Sequence, residues 1–204
     1  MRGGIEIANG EFQAHKLVVD SDMGNFTAQG HYIPAKDYDT DVTVTAVLPA
    51  PRGRTAATVG LVARGDLSHM EVAVAGRAPK PLHAMLVFDG RTDPTWNASV
   101  RSDELDLALL SPALASSAIT PLSLDFTAAG KGGNASLRGR VKQGEQELEL
   151  APSVVSLQDQ VLKVSPLLLK GLGGEARLEG TADFSQEDQQ KLNFSVVARD
   201  LTYV

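Results

Sequence analysis

Apolar and polar residues alternate one by one along most of this chain. That period confines it to β-strands with one apolar and one polar face, because successive side chains of a strand point to opposite sides. The segments Leu122-Ser-Leu-Asp-Phe-Thr-Ala128, Ala135-Ser-Leu-Arg-Gly-Arg-Val141 and Ala176-Arg-Leu-Glu-Gly-Thr-Ala-Asp-Phe184 alternate cleanly. Val42-Thr-Val-Thr-Ala46, Leu148-Glu-Leu150 and Leu192-Asn-Phe-Ser-Val-Val-Ala198 continue the pattern. Asn9-Gly10, Asp89-Gly90, Lys131-Gly132-Gly133 and Gln143-Gly144 fall between such segments as turn signals. About fifteen antiparallel strands with short connections are expected. Leu82 to Phe88 and Pro166 to Leu169 are apolar on both faces, which leaves their facing open.

Helical signal is thin. Ser102 to Ser117 is the best candidate, but Pro112 would interrupt a helix and Leu105-Asp-Leu-Ala-Leu109 reads equally as a strand. With 204 residues, 43% of them hydrophobic, the chain is long enough to fold rather than remain disordered. Its formal net charge of −6, with 5% aromatic residues, argues against a nucleic-acid partner. The absence of cysteine excludes disulfides, thiol catalysis and cysteine zinc sites. No apolar run reaches the roughly 18 residues of a membrane helix, and no basic start precedes a hydrophobic segment, so neither a membrane span nor an export signal is expected in these residues.

Two glycines recur at one offset: Gly24 and Gly30, Gly133 and Gly139, Gly174 and Gly180, each pair enclosing an alternating segment. Val62-Ala-Arg-Gly-Asp-Leu67 is echoed by Val197-Ala-Arg-Asp-Leu201 and more loosely by Val100 to Leu105. Such recurrence predicts stacked hairpins growing in one dimension. One continuous unit over residues 1–204 is expected, with possible repeat halves near 1–94 and 95–204. Ile5 and Leu201 to Val204 stand in strand patterns close to either end, as expected of a segment of a longer chain.

Catalytic constellations are missing from the pattern, so no enzyme activity and no cofactor are expected. His15, His31, His69 and His83 share no zinc-ligand spacing. Asp37, Asp39 and Asp41 would share a face if extended, but a solvated, charge-protected edge fits them better than a calcium loop. Asp20-Ser-Asp22 lacks the closing glutamate of such a loop. Gly171-Leu-Gly-Gly-Glu-Ala176 fits the letters of a dinucleotide fingerprint, yet it leads into a strand, not a helix, and reads as a hairpin turn. Sequons at Asn25, Asn97, Asn134 and Asn193 lie within expected strands.

Leu105 to Leu110, Leu122 to Phe126, Gly133 to Val141, Gly174 to Phe184 and Val197 to Leu201, in this order and spacing, resemble the β-repeat region of the TamB family in the AsmA-like group. Phe26 to Tyr32, Tyr38 to Asp41 and Val72 to Gly76 are compatible with it, so the likeness spans nearly the whole chain. The resemblance implies an elongated antiparallel β-taco with an apolar concave groove. It further implies a periplasmic location, with the full-length protein anchored in the inner membrane, and transport of phospholipid to the outer membrane. The related role it implies is a scaffold for assembling outer-membrane barrels or secreting autotransporters with a TamA-like partner. The anchor and the partner-binding segment of that family have no counterpart in these residues.

Physics leads to a similar shape. A long sheet with one apolar face and almost no helices must close on itself or lie open over something apolar. Acyl chains would gain about 0.8 kcal/mol per buried CH₂ and need no polar partner. By parity, the residues expected to line a lipid groove are Phe26, Ala28, Leu122, Leu124, Phe126, Leu137, Leu148, Leu150, Leu178, Phe184, Leu192 and Phe194. The same parity also fits a dry core.

Overall fold

The computed structural model describes residues 2–50, 53–110, 121–185 and 191–200. The strands are β1 (Arg2–Ala8), β2 (Glu11–Ser21), β3 (Gly24–Ile33), β4 (Asp39–Val47), β5 (Thr58–Gly65), β6 (His69–Arg77) and β7 (Pro81–Asp89). After them come β8 (Thr95–Leu105), β9 (Leu122–Lys131), β10 (Asn134–Gln143), β11 (Gln146–Gln158), β12 (Val161–Gly171), β13 (Gly174–Asp183) and β14 (Lys191–Arg199). All fourteen form one antiparallel sheet in which each strand pairs with its neighbours in sequence and β1 and β14 are not joined. The fold is therefore all-β, an elongated open groove built from consecutive hairpins. The described residues form fourteen strands, against about fifteen expected, and the ladder runs unbroken from β7 to β8, where the two halves would meet.

Alternation sets the facing of each strand, but bulges decide how facings join. Extra residues in β2 near Lys16, in β8 between Ser102 and Leu105, in β11 at 151–152 and in β12 at 165–166 shift the register. The last two sites hold Pro152 and Pro166, which lack the N–H that an interior ladder needs. The β11–β12 pairing accordingly steps from Leu150↔Leu169 to Val154↔Ser165. The bulge in β12 resolves the ambiguous run: Leu167 and Leu169 share the face of Leu178 and Ala176, and Leu168 pairs with Arg177 opposite.

In all three repeats the second glycine lies on the apolar face, for two different reasons. Gly30 and Gly180 have φ of +131° and +157°, and a Cβ there would meet the Asp41 and Asn193 carbonyls at 1.9 and 2.2 Å. Gly139 lies beneath the ring of Phe126, whose Cδ1 would be 2.0 Å from a Cβ. The Val62 and Val197 echo is not structural. It joins β5 to β14, an odd and an even strand of an antiparallel meander, which run in opposite directions.

Strand β8 ends at Leu105, and residues Leu107–Leu110 form a single helical turn, α1. This settles the described part of the ambiguous segment, whose residues 111–117 lie outside the described residues. Asp106 caps α1: its Oδ1 accepts the Ala108 N–H at 3.0 Å, its Oδ2 pairs with Arg54, and its own N–H donates to the Ala78 carbonyl. Beside it, Ala57, Ala78, Leu105 and Leu109 make a small buried cluster against Leu48, Ala50, Leu82 and Leu124. Only nine hydrophobic side chains are buried among the described residues. The chain exposes 13270 Å², whereas a compact monomer of 21.6 kDa would expose about 9,200 Å². No described helix is long and apolar enough to cross a membrane.

Candidate functional site: an apolar face in four rows

Following the pairing registers from strand to strand collects one face into rows that cross the sheet. A rim row runs Ile7, Phe12, Tyr32, Thr40, Gly65, Met70, Phe88, Trp96, Gly130, Ala135, Val155, Val164, Gly180, Phe194. Two residues further along each strand, a second row includes Ala14, Val42, Val72, Leu86, Ala98, Ala128 and Leu137. The middle row runs from β2 to β14 as Leu17, Ala28, Val44, Leu61, Val74, Ala84, Val100, Phe126, Gly139, Leu150, Leu169, Ala176, Ala198. No polar side chain interrupts it. A fourth row includes Val19, Phe26, Ala46, Val59, Leu82, Leu124, Val141 and Leu148.

Four rows are about 20 Å wide, and fourteen strands stack to about 60 Å. Most side chains of the middle row are half-buried, covered by sheet neighbours and by little else. Exposure rises at both ends, where Ile5 and Ile7 on β1 are 52% and 64% exposed and Leu192 and Val196 on β14 are both 66% exposed. In the centre the face dips into a depression of about 360 Å³, lined by Val72, Val74, Ala84, Val100, Phe126 and Leu150 among others. A second depression, of about 490 Å³, lies on the opposite face around Asn97, Ser136, Arg138 and Pro152. Its lining mixes Asn97, Ser136 and Arg138 with Met85 and Val87, whereas the depression on the apolar face is almost wholly hydrocarbon.

Most of the residues expected to line a groove stand on this face, and Phe184 does not. Phe26, Leu124 and Leu148 stand in the fourth row; Ala28, Phe126 and Leu150 in the middle row; Leu137 and Leu178 in the second. Leu122 pairs with Leu105 near the α1 cap. Phe194 closes the rim row, and Leu192 pairs with Ala182 beyond it. Phe184 lies past the end of β13, 40% exposed, in a connection rather than a strand. Sequence parity missed Val44, Leu61, Val74, Ala84 and Val100, which make the middle row continuous. On β6, Val72-Ala-Val-Ala is apolar on both faces, so alternation carries no facing signal there.

The two rims differ. Along one, joining β3 to β4, β5 to β6 and so on, backbone hydrogen bonds lace each connection to the next. Leu67 N–H donates to Asp37, Gly90 to Ser68, Gly132 to Pro94, Leu157 to Gly133 and Phe184 to Gln160, all at 2.7–2.9 Å. Ion pairs reinforce the lacing. Arg91 reaches both carboxylate oxygens of Asp37 at 3.0 and 2.5 Å and the Ser68 hydroxyl at 3.0 Å. Asp37 stabilises the charged guanidinium and raises the Arg91 pKa. The backbone N–H groups of Ser68 and His69 hold the Asp66 carboxyl below its usual range. His69 bonds Asp89 at 2.5 Å and Glu71 at 3.3 Å, and these carboxylates, Asp89 foremost, raise its pKa. The opposite rim, at β4 to β9, is capped by the buried cluster around α1.

The three aspartates do not share an extended face. Asp37 and Tyr38 have φ of 57° and 63°, which puts Asp37 in a turn, and each aspartate has its own basic neighbour: Arg91, His31 and Arg64. Among the described residues no group of three or more His, Asp or Glu could hold a metal. Leu172 and Gly173 form the tight β12–β13 turn, so the fingerprint letters at 171–176 mark a hairpin.

Fold and face together define an open, one-sided amphipathic β-sheet. Compared with protein-family models, with curated proteins and with solved structures, the chain finds no significant match.

Proposed function

We propose that this chain is a segment of a TamB-like periplasmic bridge that conducts phospholipids from inner to outer membrane along its apolar face, in support of outer-membrane biogenesis. The observation that carries this reading is the middle row, which crosses from β2 to β14 without a polar side chain and stays only half-covered. A conduit needs uniform apolar contact rather than a tight pocket, since each CH₂ moved out of water contributes about 0.8 kcal/mol wherever it rests. In this reading no side chain performs chemistry and no cofactor takes part. The full-length protein is anchored in the inner membrane, and it meets a TamA-like barrel through other parts of the chain. The test is charge placement in the full-length protein. Leu178→Asp or Leu137→Asp should impair lipid transport, while Glu179→Lys and Arg138→Glu, on the opposite face, should be tolerated. Equal impairment from both faces removes the conduit.

A further inference from the structure

The rows of the apolar face are not equivalent, and their differences run across the groove. Every described tyrosine and the single tryptophan sit at the laced rim: Tyr32 and Trp96 in the rim row, Tyr38 in the adjoining connection. Phe12 packs on Tyr32 and Tyr32 on Tyr38, with ring centroids 6.2 and 6.0 Å apart. The Trp96 indole N–H points out to the rim, donating to the Gly132 carbonyl at 3.4 Å. The two aromatic residues elsewhere on the face, Phe26 and Phe126, carry no polar atom.

Beyond the rim row on this side lie exposed carboxylates, Arg91 and the lacing backbone. Beyond the fourth row, at β4 to β9, lies the dry cluster of Ala57, Ala78, Leu105 and Leu109 packed on Leu82 and Leu124. Polarity therefore falls from the laced rim through the aromatic row to the aliphatic middle row and the capped rim. Tyrosine and tryptophan favour the boundary between an apolar interior and water because one end of each ring system is wet and the rest is not.

We infer that a lipid on this face lies across the groove in one sense, its polar head over the laced rim and its acyl ends toward the middle and fourth rows. This rests on the conduit reading and adds an orientation to it. At the capped rim a head would meet packed alkyl groups, with Arg54 already paired to Asp106, whereas the laced rim offers water and charge.

The chain has no cysteine, so single cysteines report one position each. Phe88→Cys in the rim row and Ala84→Cys in the middle row lie on one strand, about 14 Å apart. Met70→Cys and Val74→Cys repeat the pair on β6, should either β7 variant misfold. Each is labelled with a small fluorophore and mixed with phosphatidylcholine spin-labelled at the head group or near the chain terminus. The head-group label should quench the rim position more strongly and the chain-end label the middle position, with a ratio of about two or more given that separation. Equal or reversed quenching overturns the orientation and leaves the conduit standing. No quenching by either label, from folded protein, overturns both.

Discussion

Gly139→Val should destabilise the fold through one ring. A Cβ at this position would stand 2.0, 2.5 and 2.6 Å from three carbons of Phe126, where ordinary contact is about 3.5–4.0 Å. The ring must therefore withdraw by about 1.5 Å from the strand it covers. If half of an aromatic side chain's burial is lost, about 100 Å² returns to water, at a cost of about 2.5 kcal/mol. Valine offsets about 0.5–1 kcal/mol of this through its better strand propensity. A net loss of about 1.5–2 kcal/mol lowers Tm by about 3–8 °C in a domain of this size. Urea unfolding followed by the fluorescence of Trp96, the only tryptophan, measures it. In a Phe126→Ala background the same valine has no ring to displace and should be neutral or slightly stabilising, a coupling of about 2.5 kcal/mol. An equal cost in both backgrounds refutes the reasoning. Gly30→Ala is the contrast, because its obstacle is the Asp41 carbonyl and a positive φ, which no side-chain deletion relieves.

Other perturbations address the rims. Asp106→Ala removes the α1 cap and the partner of Arg54 from a buried position and should cost about 2–3 kcal/mol in urea unfolding; Asp106→Asn keeps a cap oxygen and should cost less. Because Asp89 and Glu71 raise the His69 pKa above 6.5, folded protein holds that proton more tightly than unfolded protein. The stabilisation is complete below 6.5 and fades as pH rises through the raised value. The Tm difference between the parent chain and His69→Asn should therefore be larger near about pH 5.5 than near about pH 8.5. The Asp183 carboxyl, held low by the Ser185 hydroxyl and N–H, works in the other direction. Its contribution is present above pH 3.8 and lost as pH falls through the lowered value, so the Tm deficit of Ser185→Ala should be full near neutral pH and shrink in acid.

Much of this architecture was legible because the strand period is fixed. Once Leu122, Leu124 and Phe126 alternate with polar residues, their common face follows, and β10 and β13 read the same way. Legibility stopped where the period breaks. Each bulge moves a strand's parity by one residue, so Val155 and Leu157 could not be joined to Leu148 and Leu150 without the pairing. It stopped again where both faces are apolar, as on β6 and β7, where Met85 and Val87 occupy the polar side. The rows themselves depend on long-range register. Tyr32 and Trp96, 64 positions apart in sequence, share a row only because five consecutive ladders align them. The capped rim was hidden for a similar reason: Arg54 and Asp106 meet across four strands, and neither carries a local signal of the other.

Whether lipid occupies this face is tested most directly by photocrosslinking in cells grown on radiolabelled phosphate. A crosslinkable residue replaces Leu178 in the full-length protein, with Glu179, its neighbour on the opposite face, as the control. The conduit predicts label on the Leu178 variant and none on the Glu179 variant. Label on neither, or equal label on both, from folded protein contradicts it.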